Sequence, residues 1–170
     1  MNVGHYGVAR LKNNTLKWGA TVQMEKINDK ISEWEKRDSA GYSLPQGGGT
    51  VNVIANLFSD NELESTRISG YLQDIVKFRT KQGLFTLVGG VRCSYWSYNK
   101  EFIFSPRPSI GFIPHFDQNL TFRLASGLYY QSPFYKELRT TVQDEHGNSI
   151  IQLNKNLKSQ RSIHVIAGGD

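Results

Sequence analysis

The sequence predicts an all-β chain of antiparallel strands. Seven short stretches alternate apolar with polar residues, 16 of the 170 residues are glycine, and no apolar run reaches 18 residues. A period of two marks a pleated strand whose two faces meet different surroundings. The lack of a long apolar run excludes a transmembrane helix and leaves a transmembrane strand open.

The elements follow in order. A partial strand near Tyr6 to Leu11 runs into the turn signal Lys12-Asn13-Asn14. From Thr15, Leu16, Trp18, Ala20, Val22 and Met24 share one face, and Lys17, Gly19, Thr21, Gln23 and Glu25 the other. Extended structure is expected to continue past Asn28 to about Asp38, with charge on both faces. Ser39 to Glu64, with Gly41, Pro45 and Gly47-Gly48-Gly49, reads as a long polar loop carrying a short hairpin strand at Val51 to Phe58.

The next strand is expected from about Arg67 to Phe78, with Ile68, Leu72, Val76 and Phe78 on one face and Asp74 as an intruder. After a turn at Thr80 to Gly83, Leu84 to Tyr98 sets Leu87, Gly89, Val91, Cys93 and Tyr95 against Thr86, Val88, Gly90, Arg92, Ser94 and Trp96. Beyond Asn99-Lys100, Phe104, Pro106, Pro108, Ile110 and Phe112 oppose Ser105, Arg107, Ser109 and Gly111. Each proline removes a ladder donor, and both face the same neighbouring strand, so a bulge or weakened pairing is expected there. A turn at His115 to Asn119 leads into Leu120 to Gln131, where Phe122, Leu124, Leu128 and Tyr130 oppose Arg123, Ala125, Gly127 and Tyr129. Ser132 to Ser159 reads as a second long loop, and a last strand begins near Gln160.

Connections mostly alternate short and long, and aromatic residues gather toward strand ends. Both are habits of outer-membrane barrels. The polar faces carry fewer charges than the outside of a soluble sheet usually does. Leu84 to Tyr98 spans 15 residues, roughly 50 Å at about 3.3 Å per residue, against about six residues for a common soluble strand. Mean hydropathy of −0.45 does not discriminate, because a polar lumen offsets a lipid-facing exterior. A membrane barrel and a soluble antiparallel barrel both remain open from pattern alone, with the former favoured.

Composition excludes several chemistries. The net charge of +5 is scattered, without the Lys/Arg cluster and interleaved aromatics of a nucleic-acid interface. The lone Cys93 forms no disulfide within the chain and makes a thiolate metal site improbable. His5, His115, His146 and His164 lack metal-site spacing. Gly47-Gly48-Gly49-Thr50 lacks the Gly-Lys-Ser/Thr ending that a phosphate-binding loop needs. No Gly-x-Ser-x-Gly motif occurs. No catalytic residue, metal ligand or cofactor is expected, and the chain does not read as an enzyme. The N-terminal MNVGHYGVARLKNN has no signal-peptide pattern, and the final strand pattern stops without a turn. The expectation is a piece of something larger.

Five runs carry a family resemblance: STRISGYLQDIVKF (Ser65 to Phe78), LFTLVGGVRCSYW (Leu84 to Trp96), FSPRPSIGF (Phe104 to Phe112), FRLASGLYYQSPFYKEL (Phe122 to Leu138) and LKSQRSIHVIAGGD (Leu157 to Asp170). In this order the chain resembles the β-barrel of a TonB-dependent outer-membrane receptor. The resemblance covers Thr15 to Asp170 in outline and Ser65 to Leu138 most specifically. It implies that residues 1–170 are a partial antiparallel transmembrane barrel, about a third of some 22 strands, without the plug domain. Long loops would be extracellular and short turns periplasmic. It also implies location in the outer membrane of a Gram-negative bacterium, contact with its lipid, and energy from the TonB system through an N-terminal region outside this chain. The imported ligand would be scarce, of the siderophore-iron, cobalamin or glycan type, and no nucleic acid is expected as a partner.

On the predicted lumen face, Arg92, Arg107 and Arg123 are candidates to pair with plug carboxylates or to steer an anionic ligand. Tyr129, Gln131 and Tyr135, where a strand enters a long loop, are candidates for ligand contact. A small self-contained outer-membrane barrel with a structural or adhesive role, and a soluble ligand-binding barrel, are the rival readings.

Overall fold

The computed structural model describes residues 1–36, 53–145 and 148–170. The triple glycine Gly47-Gly48-Gly49, the expected start of a short strand at Val51, and the turn at His146-Gly147 lie outside those residues. The described residues are all-β apart from one four-residue helix. Its elements are β1 (Asn2–Arg10), β2 (Asn14–Lys36), β3 (Val53–Arg79), β4 (Gly83–Trp96), β5 (Glu101–Pro106), β6 (Ser109–Pro114), β7 (Phe122–Gln131), α1 (Tyr135–Leu138), β8 (Arg139–Gln143), β9 (Ser149–Leu153) and β10 (Gln160–Gly169).

Two compact units divide the chain. The first comprises Met1–Glu25, Ser65–Pro133 and Lys158–Asp170, the second Lys26–Glu64 and Phe134–Leu157.

In the first unit the strands lie in the order β1-β2-β3-β4-β6-β7-β10 as an open antiparallel sheet, with β5 beside β4. The registers preserve the faces set by alternation. Val76 lies opposite Leu87, Leu87 opposite Ile110, Ile110 opposite Leu124, and Leu124 opposite Ala167. One apolar row therefore crosses four ladders, because a slip of one residue would have put polar side chains in it. The complementary row sets Gly90 opposite Gln73 and Arg123 opposite Gly111 and Gly168, and Gly90 O accepts from Arg107 N. At the β2–β3 boundary the hydroxyls of Thr21 and Ser69 lie 2.6 Å apart, which puts both on the polar face.

The apolar row is uncovered. Leu72 is 49% and Leu124 50% exposed, and Ile68, Leu87, Phe104 and Phe122 are exposed with them. Asp74, the intruder in this row, faces Gly89 across the ladder and accepts a hydrogen bond from Asn14 Nδ2 at 3.2 Å.

The prolines leave a break rather than a bulge. Val91 faces Pro106 and Val88 faces Ser109, so β5 and β6 keep one register against β4 and form two halves of a single pass. Arg107 N donates to Gly90 O at 2.7 Å, which turns the peptide edges of both neighbouring prolines toward β7. Pro108 O accepts from Ser126 N at 3.0 Å, but no proline donor returns the bond. Among the described residues β5 accordingly has a ladder with β4 and none with β7.

Short turns join three strand pairs at one end: residues 11–13, 80–82 and 115–121. Thr80 N donates to Gly83 O at 2.9 Å, closing the second of them. A Cβ at Gly83 would collide with the Ile113 carbonyl oxygen and the Phe112 ring. Gly83→Val is therefore expected to lower stability by about 1–3 kcal/mol through overpacking. Gly89→Ala, where a Cβ meets nothing within 4 Å, is expected to be near neutral on packing grounds. Urea titration of the two variants beside the parent checks the contrast.

The second unit corrects both expected long loops. β3 is continuous from Val53, so residues 59–64, expected as loop, are strand. Ser132 to Ser159 holds α1 and the β8–β9 hairpin, and β9 adds a two-residue parallel pairing to β3 at Leu57 and Phe58. The physical reason is a small core of its own, with Leu63, Leu138 and Ile151 buried, and cross-strand ion pairs. Lys26 Nζ lies 2.5 Å from Glu62 and 2.7 Å from Glu64, a pattern that hides the apolar alternation of a strand. Asp29 accepts from Ser59 Oγ at 3.2 Å and from Arg139 Nη2 at 3.3 Å, while Asn61 Nδ2 donates to Ile151 O at 2.8 Å.

Candidate functional site

The polar face of the first unit holds a cavity of about 270 Å³. Arg67, Arg92 and Arg107 line it, with hydroxyls from Ser69, Ser94 and Ser105 between them. Strand pairing explains the grouping. β4 lies between β3 and β5, Tyr71 faces Arg92 and Arg92 faces Ser105, so residues of equal parity on three adjacent strands converge.

Two of the three guanidinium groups are stacked on aromatic rings. Arg67 lies 4.1 Å from the centroid of Trp96, which is buried, and Arg107 lies 4.4 Å from that of Tyr129. Gly127 gives Arg107 its path, since a Cβ there would sit 2.9 Å from the Tyr129 ring and 3.3 Å from Arg107 Cγ. Tyr129 also packs against His164 at a tilt of 49°, with ring centroids 4.8 Å apart. Stacking satisfies the face of a guanidinium and leaves its N–H edge available for hydrogen bonding.

The site has little compensating negative charge. Glu25 lies 3.5 Å from Arg67 Nε. Among the described residues no carboxylate lies within ion-pair distance of Arg92 or Arg107. The Nε atoms of Arg67 and Arg107 are buried without a hydrogen-bond partner.

The sequence-predicted residues divide accordingly. Arg92, Arg107 and Tyr129 come together and also border a second cavity of about 320 Å³ that includes Gln73. Arg123 lies apart, paired with Asp170 at 3.3 Å near the other end of β7. Gln131 sits opposite Gln160 and lines neither of these cavities. Tyr130, expected on the apolar face, borders the first cavity, at the end of β7 that has no ladder to β5. Arg67 was not expected. Its signal was its place two residues before Ser69 on the polar side of β3, and it becomes informative only once Trp96 is known to lie opposite.

Tyr135 belongs to the second unit, at the start of α1, where Arg139 lies 5.4 Å from its ring centroid. Its hydroxyl is pushed up to about 12, first by burial and then by the Asp29 carboxylate beside it. A phenol held neutral in the fold while the unfolded chain ionises near 10 favours the fold below that pH. The second unit is therefore expected to lose stability between about pH 10 and 12, and Tyr135→Phe to remove that slope. Phenolate absorbance followed beside a thermal melt at each pH reads both.

Comparison of this chain with known proteins finds no matching family model, no matching curated protein and no matching solved structure.

Proposed function

We propose that this chain is part of the β-barrel of a TonB-dependent outer-membrane receptor that imports a scarce ligand. The observation that carries the reading is the uncovered apolar row. A soluble barrel would turn Leu72, Leu87 and Leu124 inward, whereas all three are exposed. Lipid is the solvent that matches such a face.

Aromatic residues bound this row at two levels. Toward the short turns, Phe78, Phe85, Phe112 and Phe122 form a ring-to-ring line across adjacent passes, with centroids 5.4, 4.5 and 6.5 Å apart. Ten residues further along β4, Tyr95 faces Phe102, and both are exposed. At about 3.3 Å per residue and a tilt of roughly 45° the two levels lie about 23 Å apart across the membrane, close to the ~25 Å apolar band of a barrel. β1 and β10 do not pair with each other among the described residues, which favours a segment of a larger barrel over a small closed one. On this reading the polar face is the lumen.

The test is behaviour in solution and in lipid. The protein carrying this chain is expected to need detergent for solubility and to float with vesicles after reconstitution. Its import of ligand is expected to stop when a protonophore collapses the proton gradient. Monodisperse behaviour in plain buffer, without association with vesicles, would overturn the reading.

A further inference from the structure

We propose that Arg67, Arg92 and Arg107 form a binding site for an oxyanion, a carboxylate or phosphate group, on the polar face of the sheet. The proposal deepens the receptor reading and rests on it only for the wetness of this face. Three guanidinium groups line a cavity of about 270 Å³, and among the described residues Glu25 is the one acid paired with any of them, which leaves an excess of two positive charges. Like charges drawn together in a concave site repel one another unless an anion joins them.

The donors are already arranged. Trp96 fixes the plane of Arg67 and Tyr129 that of Arg107, so neither guanidinium has to lose much rotational freedom when an anion arrives. Arg107 Nε is buried with neither a hydrogen bond nor an ion pair, and Arg67 Nε has only the 3.5 Å ion pair with Glu25; a buried donor without a hydrogen-bond partner costs free energy that an oxyanion would recover. Ser69, Ser94 and Ser105 supply neutral donors at the same wall. Planar N–H edges suit carboxylate and phosphate oxygens, which accept them in pairs. A halide would use the charge but not the paired geometry, and a neutral sugar would not use the charge.

The anion has two possible sources: a free small molecule, or a carboxylate side chain from another segment of the same protein. The protein carrying this chain, in neutral detergent, is titrated calorimetrically with inorganic phosphate and with citrate. The parent is compared with an R92Q/R107Q double variant, with Arg107→Lys, and with Lys81→Gln at a turn as control. Binding that falls at least roughly tenfold in R92Q/R107Q, less in Arg107→Lys and not in Lys81→Gln, supports a free anion. Absence of titratable binding, with the melting temperature of R92Q/R107Q lowered and that of Lys81→Gln unchanged, supports an internal carboxylate. Binding unaffected by R92Q/R107Q, or neither binding nor a shift in melting, overturns the proposal. Vesicle flotation of the same preparation reads the membrane assignment separately, so either failure is recognisable alone.

Discussion

Leu124→Arg is expected to destabilise the membrane-inserted protein by about 2–4 kcal/mol, while Arg123→Leu changes its stability little. The two residues are adjacent in β7 and project to opposite faces. Leu124 is half exposed, lies opposite Ile110 and Ala167, and sits in the apolar row. If that row faces lipid, as proposed, a guanidinium there would have to leave water for hydrocarbon. Arg123 pairs with Asp170 in an exposed ion pair, and pairs of that kind contribute only about 0–1 kcal/mol. Unfolding of both variants by urea from lipid vesicles measures the difference. Equal tolerance of the two changes would show that the faces are wrongly assigned to lipid and water.

Leu138→Ala is expected to cost about 2–5 kcal/mol and to act on the second unit. Leu138 is 1% exposed, and its carbonyl accepts from Asn154 N at 2.7 Å, tying the end of α1 to the segment after β9. With only Leu63, Leu138 and Ile151 as buried apolar anchors among the described residues of that unit, few neighbours can close the void. Amide exchange should accelerate across Arg139–Gln143 and Ser149–Leu153 while the β4–β6 ladder keeps its protection. Unchanged exchange in β8 and β9 would mean that Leu138 does not anchor them.

These two substitutions also separate what the sequence made legible from what it did not. Around Leu124 alternation was enough: the strands of the first unit were expected close to where they lie, except that β1 starts at Asn2 rather than near Tyr6 and the pass through Phe104 to Phe112 is divided into β5 and β6, and the pairing registers join apolar to apolar. Both prolines were expected to face one neighbour, and the bond from Arg107 N to Gly90 O turns them so. Around Leu138 alternation failed. Residues 59–64 carry Asp60, Glu62 and Glu64, whose partners Lys30 and Lys26 come from a strand some thirty-odd positions away. Leu63, Leu138 and Ile151 are isolated in sequence and become a core only when the chain returns. Periodicity reports local environment, and neither long-range ion pairs nor a three-residue core leaves a periodic trace.

The site followed the same division. Arg92, Arg107 and Tyr129 lay on strands whose polar parity was plain. Arg67 needed the β3–β4 register, which sets it opposite Trp96. Tyr135 was expected where a strand enters a loop; instead it begins α1, in the second unit, beside Arg139 and Asp29.

The lipid-facing assignment of the apolar row is tested most directly by nitroxide labels placed singly at residues 86–91 of β4, in a Cys93→Ala background, after reconstitution into vesicles. Labels at Leu87, Gly89 and Val91 are expected to relax with lipid-soluble oxygen, and those at Thr86, Val88 and Gly90 with a water-soluble nickel chelate. Labels at Leu87, Gly89 and Val91 that respond to the chelate, or to neither reagent, would contradict it.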